Sequence, residues 1–152
     1  MMTIRSGHYD DIFEIEALLI KARDEIDLKD NPHQETPYIY HDLIHQAEAG
    51  LLIVAEDGGY VCGVMALATS HWPWNRKQGQ HLINNHFYVD PEYRRGGTAR
   101  KLLEAAKVVA RERGMPLRID LMGAGSRELK DRFCEMSGLR YLGGIFLYEG
   151  EA

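Results

Sequence analysis

The chain has 152 residues and a formal net charge of −5, with 18 Lys and Arg against 23 Asp and Glu. One domain over 1–152 is the default at this length, with a core large enough to need no covalent staples. The acidic balance argues against a general nucleic-acid binder, which needs a basic face, and no apolar run is long enough to span a membrane. Cys62 and Cys134 are the two cysteines and stand far apart, so neither a disulfide framework nor a paired zinc ribbon is expected. With no long apolar signal core at the N-terminus, the expectation is a reduced, cytoplasmic setting.

Thr3-Ile4-Arg5 reads as a short strand. Asp10 or Asp11 caps a helix, with Glu14 placed to complete a capping box from Asp11, and Ile12, Ile15, Leu19, Ala22 and Ile26 then recur at helical spacing. Leu28–Pro37 is a polar connection broken by two prolines. A shorter helix is expected from about Tyr38 to Ala49, with Tyr40, Leu43, Ile44 and Ala47 as its apolar positions and Gly50 as its stop. Leu51–Glu56 and Tyr60–Thr69 flank Asp57-Gly58-Gly59 and read as a hairpin. Ser70–Gly79 is expected to be a loop, and Gln80–Val89 the next strand.

The stretch Asp90-Pro-Glu-Tyr-Arg-Arg-Gly-Gly-Thr-Ala99 separates that strand from the clearest helix. Ala99, Leu102, Leu103, Ala106, Val109 and Ala110 form its apolar stripe, and Gly114 and Pro116 close it. A strand, an Arg/Gly turn and a helix start make an anion site: glycine allows close approach, and the first helical amides and the dipole favour phosphate. Arg94, Arg95 and Arg100 add full charges. Leu117–Leu121 fits a strand, and Ser126 caps a last helix whose buried side includes Leu129, Phe133 and Met136. Arg140–Leu142 and Ile145–Tyr148 read as two final strands. The order predicts an α/β (α+β) fold, a mixed, mostly antiparallel sheet of about seven strands with about four helices.

Tyr88-Val-Asp-Pro-Glu-Tyr-Arg-Arg-Gly-Gly-Thr-Ala99 resembles the acetyl-CoA signature of the GCN5-related N-acetyltransferase (GNAT) family, Gln/Arg-x-x-Gly-x-Gly/Ala, carried here by Arg94, Gly97 and Ala99. Phe133-Cys-Glu-Met-Ser-Gly-Leu139 is similar to the family's late segment. The resemblance implies a sheet splayed between the fourth and fifth strands, with pantetheine in the wedge. It places the pyrophosphate on the amides of Arg95, Gly96, Gly97, Thr98 and Ala99, helped by the Thr98 hydroxyl. Backbone groups near Tyr88 and Val89 pair with pantetheine and orient the thioester carbonyl. The Arg94, Arg95 and Arg100 side chains either reach phosphate or remain solvated. The implied activity is acetyl transfer from acetyl-CoA to a small-molecule or peptide primary amine, by direct attack in a ternary complex. A non-catalytic acyl-CoA-binding or interaction protein on the same fold is the alternative.

His86 stands where many family members carry a glutamate base, and a histidine accepts a proton near neutral pH. A hydrogen-bonded sheet histidine is the competing reading. Strict alternation puts Asn84, His86 and Tyr88 on one face. Cys134 occupies the place of the family's tyrosine acid, and either acts as acid or packs as a small hydrophobe. Tyr141 and Tyr148 are other hydroxyls for that role. Glu35, Tyr38, Trp72 and Trp74 are the candidates for acceptor binding, through charge and cation–π contact. The two tryptophans equally suit a homodimer surface. His41-Asp-Leu-Ile-His45 has the spacing of two metal ligands on a helix, with His33 as a third only by proximity in sequence, and a metal-dependent hydrolase is the distant reading. No metal is assigned.

Overall fold

The sheet takes its strands in chain order. In the computed structural model, which describes residues 1–26, 36–73, 75–121, 125–144, 146 and 148, β1 (Met2–Ser6), β2 (Leu52–Asp57), β3 (Tyr60–Trp72) and β4 (Asn75–Val89) pair antiparallel. β5 (Leu117–Arg118) joins β4 in parallel. The helices are α1 (Ile12–Glu25), α2 (Thr36–Glu48), α3 (Thr98–Glu112) and α4 (Arg127–Met136).

Period-2 alternation divides the sheet between two cores. Leu52, Val54, Val64, Ala66 and Tyr88 face Ile12, Ile15, Leu18 and Leu19 of α1 and Ile39 and Leu43 of α2. Leu51, Ile53, Ala55, Met65, Leu67 and Val89 face Leu102, Leu103, Ala106 and Ala110 of α3. Phe133 of α4 and Leu139 pack at the edge of this second core. α3 realises the expected stripe because its apolar residues recur every three or four positions and find a continuous apolar face.

Several expectations need correction. The capping box does not form at Asp11 and Glu14. Arg5 holds the Asp11 carboxylate through two 2.8 Å bonds, and Glu14 instead accepts from the Val61 amide. α2 is rotated from the expected stripe: Ile39, Leu43 and Gln46 are buried, and Ile44 is exposed. The expected Ser70–Gly79 loop shrinks, since Ser70 pairs with His81 and His71 with Gln80, extending both strands. β5 is two residues long rather than five. Arg140–Leu142 makes no strand, so the described sheet has five strands rather than about seven; Ile145 and Leu147 lie outside the described residues. Leu129 and Met136 are 67% and 62% exposed rather than buried.

Gly63 lets α3 sit close to the sheet. A Cβ there would stand 3.1 Å from Leu102 Cδ1 and 3.4 Å from both Ala55 Cβ and Val89 Cγ2. Gly63→Val should therefore destabilise the fold by about 1–3 kcal/mol through overpacking, read as a lower urea midpoint. An unchanged midpoint would show that Leu102 can move aside freely.

Candidate functional site

β4 carries one residue more than its partner. Ala66 pairs with His86 and Leu67 with Asn84, so Asn85 is a bulge opposite two consecutive residues. The bulge breaks strict alternation. Asn84 shares the α3 face with Leu67, whereas His86 and Tyr88 share the α1/α2 face with Ala66 and Val64. The expectation that Asn84, His86 and Tyr88 lie together is thereby corrected.

β4 and β5 part at the same place. Their ladder ends with Ile83 and Arg118. The Asn84 side chain then stands in for it, donating to the Asp120 carbonyl at 2.9 Å and accepting from the Asp120 amide at 2.8 Å. Beyond this bridge, no strand among the described residues pairs with the β5 side of β4 as far as Val89.

The open edge leads into the Arg/Gly turn. Pro91–Gly96 form a 3-10 turn, and Gly97, at φ +74, enters α3 in the left-handed region that a side chain disfavours. Lys101 N–H to Gly97 C=O, 3.0 Å, closes the first turn of α3. The amides of Thr98, Ala99 and Arg100 therefore have no partner within the helix. A Cβ on Gly96 or Gly97 would meet nothing within 4 Å, so the backbone there is open to a ligand. Free amides, open space and a helix dipole suit a pyrophosphate, and Arg95 and Arg100 are exposed beside them.

Two expected phosphate contacts are otherwise engaged. The Thr98 hydroxyl is buried and donates to the Tyr93 carbonyl at 3.0 Å, which leaves its amide rather than its hydroxyl for a ligand. Arg94 bonds Glu25 at 2.8 and 2.9 Å, donates through Nε to the Val89 carbonyl at 2.9 Å, and lies over the Tyr88 ring. Tyr88 also donates to Glu25, at 2.5 Å. Burial works to raise the Glu25 carboxyl, but Tyr88 and Arg94 outweigh it and the net lies below the usual range. Burial and the Glu25 bond raise the Tyr88 phenol well above its ordinary value. Lys21 and Tyr60 likewise hold the buried Asp90, at 2.6 and 2.9 Å. Burial there also opposes the ionised form and is also outweighed, so Asp90 stays below the usual range.

On the α2 side the bulge borders a cleft of about 280 Å³, lined by Asp42, His45, Gln46, Ala49, Leu51, Leu67, Ala68, Thr69 and Asn85. His86 follows Asn85 and is half-buried. Burial lowers the imidazole below its ordinary 6.5, and the Asp42 carboxylate opposes that shift without cancelling it. His86 is thus neutral at pH 7 and able to accept a proton.

Among the described residues, no hydrogen bond joins His86, Cys134 and Tyr141. Cys134 is half-buried on α4, and burial, with Asp131, pushes its thiol up. Tyr141 and Tyr148 are exposed. Trp72 does not offer a free ring face: His81 stands 4.3 Å from it and the Arg118 guanidinium 5.7 Å. Glu35, Trp74 and His33 lie outside the described residues, and Tyr38 is placed only as part of α2. The His41 and His45 rings meet edge-on at 4.5 Å, but no group of three metal-ligating side chains forms among the described residues.

The chain matches the acetyltransferase (GNAT) family over residues 15–129. It belongs to that family. A comparison with curated protein sequences yields no significant match. Among solved structures, AAC(6')-Iy in complex with the bisubstrate analogue CoA-S-monomethyl-acetylneamine superposes with a TM-score of 0.74 at 14% identity, covering 100% of this chain and 99% of that one. Ribosomal-protein-alanine N-acetyltransferase from Brucella melitensis biovar Abortus 2308 gives 0.70 at 17% identity, covering 99% of each. A predicted acetyltransferase with acetyl-CoA from Clostridium acetobutylicum gives 0.67 at 18%, covering 97% of this chain and 96% of that one. At these identities the likeness establishes the fold. No helix among the described residues is long and apolar enough to cross a membrane.

Within this GNAT chain, Glu25 and Gln46 are residues beside the turn and the cleft that the sequence reading passed over, and Asn84 it read only as a face neighbour of His86. Only Gln46 left a trace in the sequence: it falls three positions after Leu43 and seven after Ile39, a polar residue on the buried stripe of α2. The His86 environment yields a direct measurement. By NMR its imidazole should titrate below 6.5, and Asp42→Asn should lower the midpoint further by removing the opposing charge. An upward move in the variant would contradict that account.

Proposed function

We propose that residues 1–152 form one N-acetyltransferase domain that passes an acetyl group from acetyl-CoA to a primary amine by direct transfer in a ternary complex. The observation that carries this reading is the double use of β4. Its edge beyond Asn84 runs toward the free amides at the start of α3, and its bulge, whose Asn85 lines the α2 cleft, puts His86 on the α1/α2 face of the sheet. Donor and acceptor positions are thus separated by one strand.

In this reading the amides of Gly97, Thr98, Ala99 and Arg100 hold the pyrophosphate, with Arg95 and Arg100 at the rim. Arg94 acts through Glu25 and Val89 rather than on phosphate. The backbone edge of Asn85–Val89 aligns the pantetheine arm, and acetyl-CoA, when bound, supplies an activated thioester. Asp42 draws an ammonium into the cleft, and His86 takes its proton directly or through water. Cys134, with its thiol held protonated, is the nearest match to the family's acid. The acetyl-CoA-bound relative from Clostridium acetobutylicum and the CoA-linked analogue in AAC(6')-Iy support the donor. The aminoglycoside and alanine acetyltransferases among the neighbours support an amine acceptor.

Amine-dependent release of thiol from acetyl-CoA tests the reading, and tight CoA binding without turnover across a broad amine panel would replace it with a binding protein. Gly97→Asp should abolish acetyl-CoA binding by calorimetry, since it puts negative charge beside phosphate; unaltered affinity would sink the donor assignment. His86→Ala should lower kcat about a hundredfold or more, the lower end of general-base effects, while sparing acetyl-CoA affinity. It should also remove an acidic limb of the pH–rate profile that lies below pH 6.5. An acidic limb that survives the substitution would exclude His86 as base.

A further inference from the structure

Gln46 is 5% exposed and lines the cleft, yet neither Nε2 nor Oε1 has a hydrogen-bond partner among the described residues. Its backbone is fully used, since its carbonyl accepts from the Leu51 amide at 2.8 Å and so helps end α2. The side chain therefore has no evident structural duty. A buried amide left unpaired is destabilising, and native proteins rarely keep one without a ligand or water to complete it.

The surroundings limit what can complete it. Asp42 lies one helical turn before Gln46 and brings a negative charge to the same cleft, while Thr69 and Asn85 add neutral polar groups. Ala49, Leu51, Leu67 and Ala68 supply a small apolar part of the wall. At about 280 Å³ the space suits a small compound. A carboxamide sets an acceptor oxygen beside an NH2 with two donors. A trans peptide group points its N–H and C=O in opposite directions and cannot satisfy both. Neighbouring hydroxyls can, because each can either donate or accept.

We propose that Gln46 is a specificity-determining residue that reads hydroxyl groups on the acceptor, so that the preferred substrate is a hydroxylated amine of the amino-sugar or amino-polyol type. This rests on the acetyl-transfer reading above. Asp42 takes the ammonium and Gln46 takes the hydroxyls beside it. The amine is thereby selected by what it carries as well as by its charge.

Matched acceptors test the assignment: glucosamine against cyclohexylamine, and 3-amino-1,2-propanediol against propylamine. The wild type should favour the hydroxylated member of each pair in kcat/KM. Gln46→Met, which keeps length and removes both polar atoms, should cut that preference by about tenfold, as loss of a hydrogen bond from a buried group predicts. The thermal midpoint should hold or rise, because the unpaired amide is gone. Gln46→Leu serves as a second variant. An equal fall for both members of each pair, or a preference that survives with a raised midpoint, would overturn the assignment. The first outcome means a structural role and the second a resident water only. Calorimetric titration of glucosamine into the CoA-bound wild type and Gln46→Met proteins reads the same contact without turnover. Absence of any amine-dependent thiol release, which overturns acetyl transfer, is thereby kept apart from failure of the Gln46 contact: unchanged glucosamine affinity in the variant overturns the latter.

Discussion

One extra residue in β4 governs both halves of the site. With Asn85 unpaired against β3, the strand changes side-chain phase between Asn84 and His86. Without the bulge, His86 would fall on the α3 face, inside an apolar core. The irregularity also coincides with the end of the β4–β5 ladder. Asn84 is placed to bridge to the Asp120 backbone, so the parting of the strands leaves no stranded amide at that point. In the proposed reading, a single insertion thus serves both the donor edge of β4 and the imidazole assigned as base.

The turn after β4 is steadied by charges from α1. Asp90 and Glu25 each sit where burial favours the neutral acid, and each is kept ionised by a cation and a phenol: Lys21 with Tyr60, Arg94 with Tyr88. Lys21 and Glu25 are four apart on α1, so one helical face grips the turn at two points. The grip has a consequence for the basic appearance of the segment. Arg94 is neutralised by Glu25 and so contributes geometry more than free charge. Phosphate recognition at this turn then falls mainly to backbone amides, which are positioned by the fold and cannot be titrated away.

That division explains what could be read from the sequence. The donor side is written locally. The apolar strand, the Asp90–Ala99 turn and the α3 stripe are contiguous, and glycine at position 97 is required by a left-handed backbone. The family resemblance and the helix start were both legible there. The acceptor side is assembled from α2, β3 and β4, whose residues meet only after the sheet forms. Asp42 could be seen only as part of a His-x-x-x-His pattern, and Gln46 only as a polar interruption once the rotation of α2 is known. The bulge defeated alternation at Asn84 because period-2 counting has no means of locating an inserted residue. The expectation at Arg140–Leu142 failed for another reason: a short apolar run next to glycine looks like a strand whether or not an edge is available to pair with it.

In the proposed reading, the cleft sets two opposing electrostatic demands on an amine acceptor. A primary amine reaches a protein at neutral pH as an ammonium, since its pKa is about 10. Capture therefore needs a negative charge, which the proposed reading assigns to Asp42 in the cleft wall. Acetyl transfer needs the neutral amine, and a carboxylate in contact would hold the proton on. The behaviour of His86 shows how the two demands are separated in space. Asp42 favours a cation at His86, yet burial outweighs it and the imidazole stays neutral. In that reading, charge at the α2 wall serves entry, and burial at β4 serves proton loss. Gln46, uncharged and buried between polar neighbours, can anchor the rest of the acceptor without shifting that balance toward either state.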